Sequence, residues 1–492
     1  MPTQRKNRMN RWPTLAPFTP TKIDVPSLYD RSVALIEAGD HAQALRVLEE
    51  VLELAPDYDF ALLNYGFCQT QLGQYAEAEK SLTQAQGLMP DQAQPLYYLS
   101  RLYSRQNRLD EALAQIELAI RVQPAYDEAW FERAYLLDLL RRDADAEEAY
   151  SVYLQRVPSD PISLMNRGRK RMALGKVDLA SQDFSAAVKA DPTLQKAWYY
   201  LGECLVSLGQ LEEALPAYDQ ALQLAKRDPY SLIGRGYCNL ELGQYTKALL
   251  DLNKAISLAP ENLNALSYRA QTRMRQGKFQ LALKDLDAAV AINPEDYQLL
   301  YNSAICLRRL TSFKKAVEVW QKLEALYPGD TYALIGLSDT YDAMRLPQMA
   351  DEVNTRAIEA GPTNMRPYTK RGYYRFTQGD YEGARQDYET ALAKDPSYTI
   401  TYNNYVVLLF SQKKYAEGLA LLERAQQVRP DMEYTCYNYA CYYAIHGQPE
   451  LALDWLAKAF RAMPALQQDA KTDPDLENLR GLERFKELMI VD

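Results

Sequence analysis

The sequence predicts an all-α fold, a solenoid of antiparallel helix pairs, on three observations. First, Pro56, Pro90, Pro124, Pro158, Pro192, Pro260, Pro294, Pro328, Pro362, Pro396, Pro430 and Pro464 stand in one register with a spacing of 34 residues, and Lys226 is the one rung without a proline. A fixed period of this length marks stacked helical units, and a residue with no N–H and a fixed φ closes each unit. Second, counting the first unit as residues 25–58 puts a small residue at position 20 of all thirteen repeats, from Ala44 and Ala78 through Ala350 to Gly418 and Ala452. Position 8 is Gly, Ala or Ser except at Val406. Two helices therefore cross closely, and a larger side chain at the crossing would cost roughly 1–3 kcal/mol. Third, position 15 holds Gly39, Gly73, Gly175, Gly209, Gly243, Gly277, Gly379 and Gly447, where glycine can take the left-handed conformation that ends a helix.

The elements follow in chain order. Residues 1–24 carry Arg5, Lys6, Arg8, Arg11 and Lys22 against Asp24, with four prolines and no apolar period, so a disordered basic tail is expected. Residues 25–466 form the thirteen repeats, with helix A over about the first fourteen positions and helix B over about the next sixteen. Positions 4, 20, 24, 27 and 28 supply the buried faces, as in Trp198, Ala214, Tyr218, Ala221 and Leu222. Repeat 10 departs from this pattern with Pro347 at position 17 and Asn354 at position 24, and repeat 9 has Leu323 where alanine is usual. A local softening or distortion around repeats 9 and 10 is the expectation. Residues 467–492 read as a charged connector followed by one capping helix, because Leu476, Leu479, Leu482, Phe485, Leu488 and Met489 recur at helical spacing and an open array needs a covered end.

Composition narrows the function. The 492 residues carry a net charge of −9, which gives no general attraction to nucleic acid or to an anionic membrane. The apolar run 406–410 is far too short to span a bilayer. The first residues lack the apolar core of a secretory signal, which points to a cytoplasmic setting. Cys68, Cys204, Cys238 and Cys306 share position 10 and so lie too far apart to bridge; they read as packing thiols. Cys436 and Cys441, five apart on one helix, match neither a zinc nor a redox spacing. His41 and His446 have no partner at ligand spacing, and no phosphate loop, dinucleotide motif or nucleophile elbow is present. The reading is a non-enzyme with no cofactor and no metal.

A second regularity concerns charge. Position 7 is arginine in six repeats and position 23 is aspartate in four, and each such aspartate shares its repeat with an arginine. Structural pairs are therefore predicted for Arg167 with Asp183, Arg235 with Asp251, Arg269 with Asp285 and Arg371 with Asp387, because guanidinium and carboxylate match as forks. Several of these features recur at 102 residues, the mark of a multiplied three-repeat block.

The period, the small residues at positions 8 and 20 and the closing proline resemble the tetratricopeptide repeat family, and the end segment resembles that of bacterial arrays of this family. The resemblance implies a right-handed superhelix in which positions 2, 5, 6, 9, 12 and 13 of helix A line a concave groove. Tyrosine is unusually frequent, 37 against 11 phenylalanines, and much of it falls at these positions. The candidate groove residues are Asn64, Tyr97, Tyr98, Tyr135, Asn166, Tyr199, Tyr200, Tyr230, Tyr237, Tyr268, Tyr301, Asn302, Tyr332, Arg366, Lys370, Tyr373 and Asn404. Such a stripe suits either recognition or packing between helices. Arg275, Arg308, Arg309, Arg366 and Lys370 would favour an anionic segment toward repeats 8–11. The carboxylate clamp of chaperone-binding members needs Lys at position 5 and Asn at position 9; no repeat has either, so binding of chaperone tails by that clamp is not expected. The implied function is a scaffold for a protein or peptide. The alternatives are a peptide-sensing regulatory module for a separate enzyme, or an RNA-binding helical array, against which the acidic body argues.

Overall fold

The computed structural model describes residues 24–490, so the basic tail up to residue 23 and the last two residues lie outside the described residues. No strand occurs among the described residues. Twenty-six helices run in tandem pairs from Val25–Glu37 to Pro449–Ala462. Repeat 6 is representative, with helix A over Gln195–Ser207 and helix B over Leu211–Leu224. The chain divides into two compact units between Leu242 and Gly243, at the turn between the two helices of repeat 7.

In the first unit the core is a column of position-24 side chains, Leu48, Leu82, Ile116, Tyr150, Phe184 and Tyr218, all fully buried. The small residue at position 8 faces this column. A Cβ on Gly168 would stand 2.9 Å from the Phe184 ring, and one on Gly202 would stand 2.8 Å from that of Tyr218. Glycine there admits an aromatic ring between the two helices, which buries far more apolar surface than a methyl group would.

The second unit repeats the design with Leu252, Leu286, Trp320, Tyr388, Leu422 and Leu456 in the same buried column, and a Cβ on Gly372 would stand 2.7 Å from the Tyr388 ring. Asn354 is the break: it is buried, yet short and polar. Pro347, by contrast, causes no interruption. It is the first residue of helix B, Pro347–Ala360, where its missing N–H would have had no helical partner.

Every interhelix turn of a repeat carries a left-handed residue at position 15. Eight are glycines, such as Gly175 at φ 73°, and the others are Asn107, Arg141, Thr311, Arg345 and Lys413 at φ 57–60°. The amide of Gly175 bonds the Met172 carbonyl at 3.0 Å and that of Lys176 bonds the Arg171 carbonyl at 2.8 Å, so the turn returns two amides to helix A. The turn demands the conformation whichever residue occupies it.

The predicted capping helix over 473–489 is corrected. The chain forms a 3₁₀ turn, Pro474–Leu479, and a short helix, Glu483–Leu488, after the single turn Leu466–Ala470. Asp473 accepts the amide of Asp475 and starts the first of these, and Leu482 in extended conformation separates the two. Leu476, Leu479 and Phe485 are nevertheless buried, in one apolar cluster with Leu453, Leu456 and Phe460 of the last repeat.

Arginine forks tie helix A to helix B. Asp183 receives Arg167 Nη2 at 2.6 Å and Nε at 3.0 Å; Asp387 receives the same atoms of Arg371 at 2.7 and 2.9 Å. A second arginine at position 11 adds to each, Arg171 at 2.8 Å and Arg375 at 3.1 Å. Arg235 and Asp251 belong to different units; within its own unit Arg235 meets Asp219 at 2.5 Å.

Candidate functional site

The helix A face is built from side chains whose roles differ. Position 6 of one repeat lies over position 24 of the repeat before it, so Asn166 donates to the Tyr150 hydroxyl at 3.2 Å and Gly234 stands against the ring of Tyr218. Asn64 donates to the Tyr29 hydroxyl at 3.0 Å. Asn302 is buried; its oxygen accepts from Gln298 at 3.2 Å, while Nδ2 has no protein partner. Part of the amide stripe is thus engaged in the stack.

The tyrosines divide in the same way. Tyr97 packs on Tyr98 and Tyr126 at 5.5 and 5.6 Å between ring centres, Tyr199 on Tyr200 and Tyr218 at 5.2 and 6.3 Å, and Tyr301 edge-on to Trp320 at 5.2 Å. Tyr97, Tyr98, Tyr199, Tyr200 and Tyr301, with Tyr237 and Tyr268, are half-buried. Tyr135, Tyr230, Tyr332 and Tyr373 are open, at 41, 59, 60 and 54% exposure. They are the ones available to a partner.

One cleft gathers the rest. It has a volume of about 660 Å³ and lies among helix B of repeat 10 and the A helices of repeat 11, Met365–Thr377, and repeat 12, Thr399–Ser411. Four of the sequence-predicted residues, Arg366, Lys370, Tyr373 and Asn404, line it. Asn354, which lines it, stands where the other repeats place an apolar group. Lys370, over that position, turns aside to Asp339 and Asp342, each at 2.6 Å. Burial works against the charge of Lys370, but the two carboxylates outweigh it and hold its pKa above the ordinary lysine value.

The floor is left with free acceptors. Asn354 Oδ1 and Asp351 Oδ1 are buried and have no protein partner. Burial raises the pKa of Asp351, opposed by the nearby charges of Arg371 and Arg375. At the mouth, Arg366 Nη2 lies only within 3.9 Å of Asp339, and Arg345 makes no ion pair among the described residues. The sequence singled out Asn354 as a departure from the repeat; Asp351 and Arg345 it did not, because position 21 carries no fixed residue type and Arg345 stands at the turn position 15, where eight repeats have glycine.

Other reactive groups are engaged. All six cysteines are free and buried, and burial pushes Cys68, Cys204 and Cys238 up to about 12. Cys441 lies with Asp473 and Asp475. Asp473 there accepts from the Tyr437 hydroxyl at 2.9 Å and from the Asp475 amide at 2.9 Å, so this cluster closes the end of the array. No described helix is long and apolar enough to cross a membrane.

Helix pairs at a 34-residue period, closed by small residues and left-handed turns, define a tandem-repeat interaction scaffold. The chain belongs to the tetratricopeptide repeat family: models of that repeat match residues 35–94, 97–161, 165–231, 206–262, 269–331 and 369–433. DnaJ homolog subfamily C member 7 of Homo sapiens is 25% identical over 207 residues, covering 39% of this chain and 42% of that protein. BBSome complex member BBS4 of Bos taurus is 25% identical over 152 residues, covering 31% of this chain and 29% of that protein. The chain thus spans less than half the length of these curated relatives. Among solved structures, a tetratricopeptide repeat protein from Parabacteroides merdae is similar with a TM-score of 0.40 and 21% identity over 51% of this chain and 98% of its own. The Cut9–Hcn1 hetero-tetramer of APC/C contains a chain similar with a TM-score of 0.41 and 15% identity, over 94% of this chain and 90% of its own.

Proposed function

We propose that this scaffold binds an extended segment of a protein partner along the helix A face, with its main anchor in the cleft of repeats 10–12. The observation that carries the reading is the convergence of Arg366, Lys370, Tyr373 and Asn404 on one cleft large enough for a side chain and its flanking backbone. Open tyrosines give contact area at low entropic cost, and Arg366 and Arg345 favour an acidic residue in the partner. The role is non-catalytic, and no cofactor is called for. The buried free thiols suit a reducing, cytoplasmic setting.

Selection of peptides from a random display library on the full chain tests this reading. Selected peptides are expected to lose at least tenfold in affinity, by calorimetry, on a Tyr332→Ala, Tyr373→Ala, Arg366→Glu variant that melts like the parent. Equal affinity for both proteins would contradict it.

A further inference from the structure

We infer that the cleft of repeats 10–12 is a receptor for an uncharged carboxamide side chain, Gln or Asn, of a peptide that carries an acidic residue next to it. This deepens the helix A reading and rests on it.

The floor defines the first half of the ligand. Asn354 and Asp351 are three residues apart on helix B, hence neighbours on one face. Each presents an oxygen that is buried and unpartnered, and Asn354 is 98% removed from solvent as a residue, with 2% exposure. A buried acceptor left without a donor costs free energy that an incoming N–H recovers. The ligand must therefore donate.

Which donor is decided by charge. An ammonium or guanidinium group would descend past Arg345 and Arg366, which line the cleft, while Lys370 beside them is neutralised by Asp339 and Asp342. The one carboxylate at the floor, Asp351, already lies in the field of Arg371 and Arg375, which it shares with Asp387. A further cation thus meets repulsion at the mouth and a compensated charge at the floor. A carboxamide carries two N–H donors on one nitrogen without charge, and its own oxygen is an acceptor for the cations above. A carboxylate in the same place would set acceptor against acceptor. It is suited instead to the mouth, where Arg345 and Arg366 have donors to spare.

The repeat frame explains why the site is in this repeat. In the other repeats the equivalent of Asn354 is a Leu, Ile, Phe, Tyr or Trp that fills the centre of the helix pair. Asparagine gives up that packing and lines the cleft instead.

Saturation-transfer NMR on the full chain with three probes, acetyl-Gln-Asp-amide, acetyl-Glu-Asp-amide and acetyl-Lys-Asp-amide, reads the chemistry. The Gln probe is expected to bind at least fivefold more tightly than the other two. Asn354→Leu, which restores the side chain type of the other repeats, is expected to abolish that binding and to raise the melting temperature. Another order among the probes, unchanged binding to Asn354→Leu, or a lowered melting temperature of that variant would each overturn the inference. If the Gln probe fails while library-selected peptides still bind and still need Tyr332 and Tyr373, this inference falls and the helix A reading stands.

Discussion

Arg269 grips Asp285 with two parallel bonds, Nη2 to Oδ1 at 2.7 Å and Nε to Oδ2 at 3.1 Å, and Arg273 adds a third at 2.6 Å. The carboxylate is 4% exposed, the two guanidinium groups 17 and 18%. Removing the acid leaves two partly buried cations facing each other, whereas removing Arg273 leaves the fork intact. Asp285→Ala is expected to cost about 3–5 kcal/mol and Arg273→Ala clearly less. Urea unfolding of the full chain, with hydrogen exchange to localise the loss to repeat 8, checks the order.

Thr311 holds φ 58° in the turn of repeat 9, a conformation that strains a β-branched residue. Thr311→Gly is expected to stabilise the chain by about 1 kcal/mol, and Gly277→Ala, with native φ 73°, to destabilise it by a similar amount. Paired thermal melts of the two variants decide the point.

Glu147 and Asp351 occupy the same repeat position with opposite shifts. The hydrogen bond from Lys176, at 2.5 Å, with that from Arg171 at 3.1 Å, holds Glu147 below the ordinary carboxylate range despite its burial. Position 16 of repeat 11 is Asp380 instead of a lysine, Asp351 Oδ1 has no partner, and burial raises the pKa of Asp351. The stability that Glu147 contributes is present above its unfolded pKa and lost as pH falls through its folded pKa. That of Asp351 is present below its unfolded pKa and lost as pH rises through its folded pKa. Glu147→Gln should therefore lower stability at pH 7 and Asp351→Asn should raise it, both effects vanishing in acid. Melts between pH 3 and pH 7 give the signs.

Burial keeps the thiols protonated, with Cys306 and Cys436 pushed up to about 11. None of the six should react with a thiol reagent at pH 8 before the helix pairs open, and all six should react in denaturant. A cysteine that titrates rapidly in the native chain would contradict the packing described.

The fold was legible because an array repeats its instructions: the prolines set the register, and the small residues of positions 8 and 20 marked the crossing before any ring was seen beside Gly168 or Gly202. The 34-residue frame also flagged Asn354. Three things were not legible. The arginines of position 11, Arg171, Arg273 and Arg375, join the aspartates of position 23 only once the two helices are packed, and Arg171 reaches Glu147 as well. Tyr199 and Tyr301 share their helix positions with other tyrosines, and only the neighbouring rings show that they pack. The capping segment kept its apolar spacing, but Pro474 and the extended Leu482 cut it into separate turns. Sequence spacing reports which residues share a face; it does not report how much of that face the next helix takes.

The most direct measurement is photo-crosslinking from a library-selected peptide, with the attached sites mapped by mass spectrometry. The account predicts crosslinks at Tyr373, Asn404 and their neighbours on the A helices of repeats 11 and 12. Crosslinks concentrated on exposed helix B positions such as Leu250, and absent from the cleft, would contradict it.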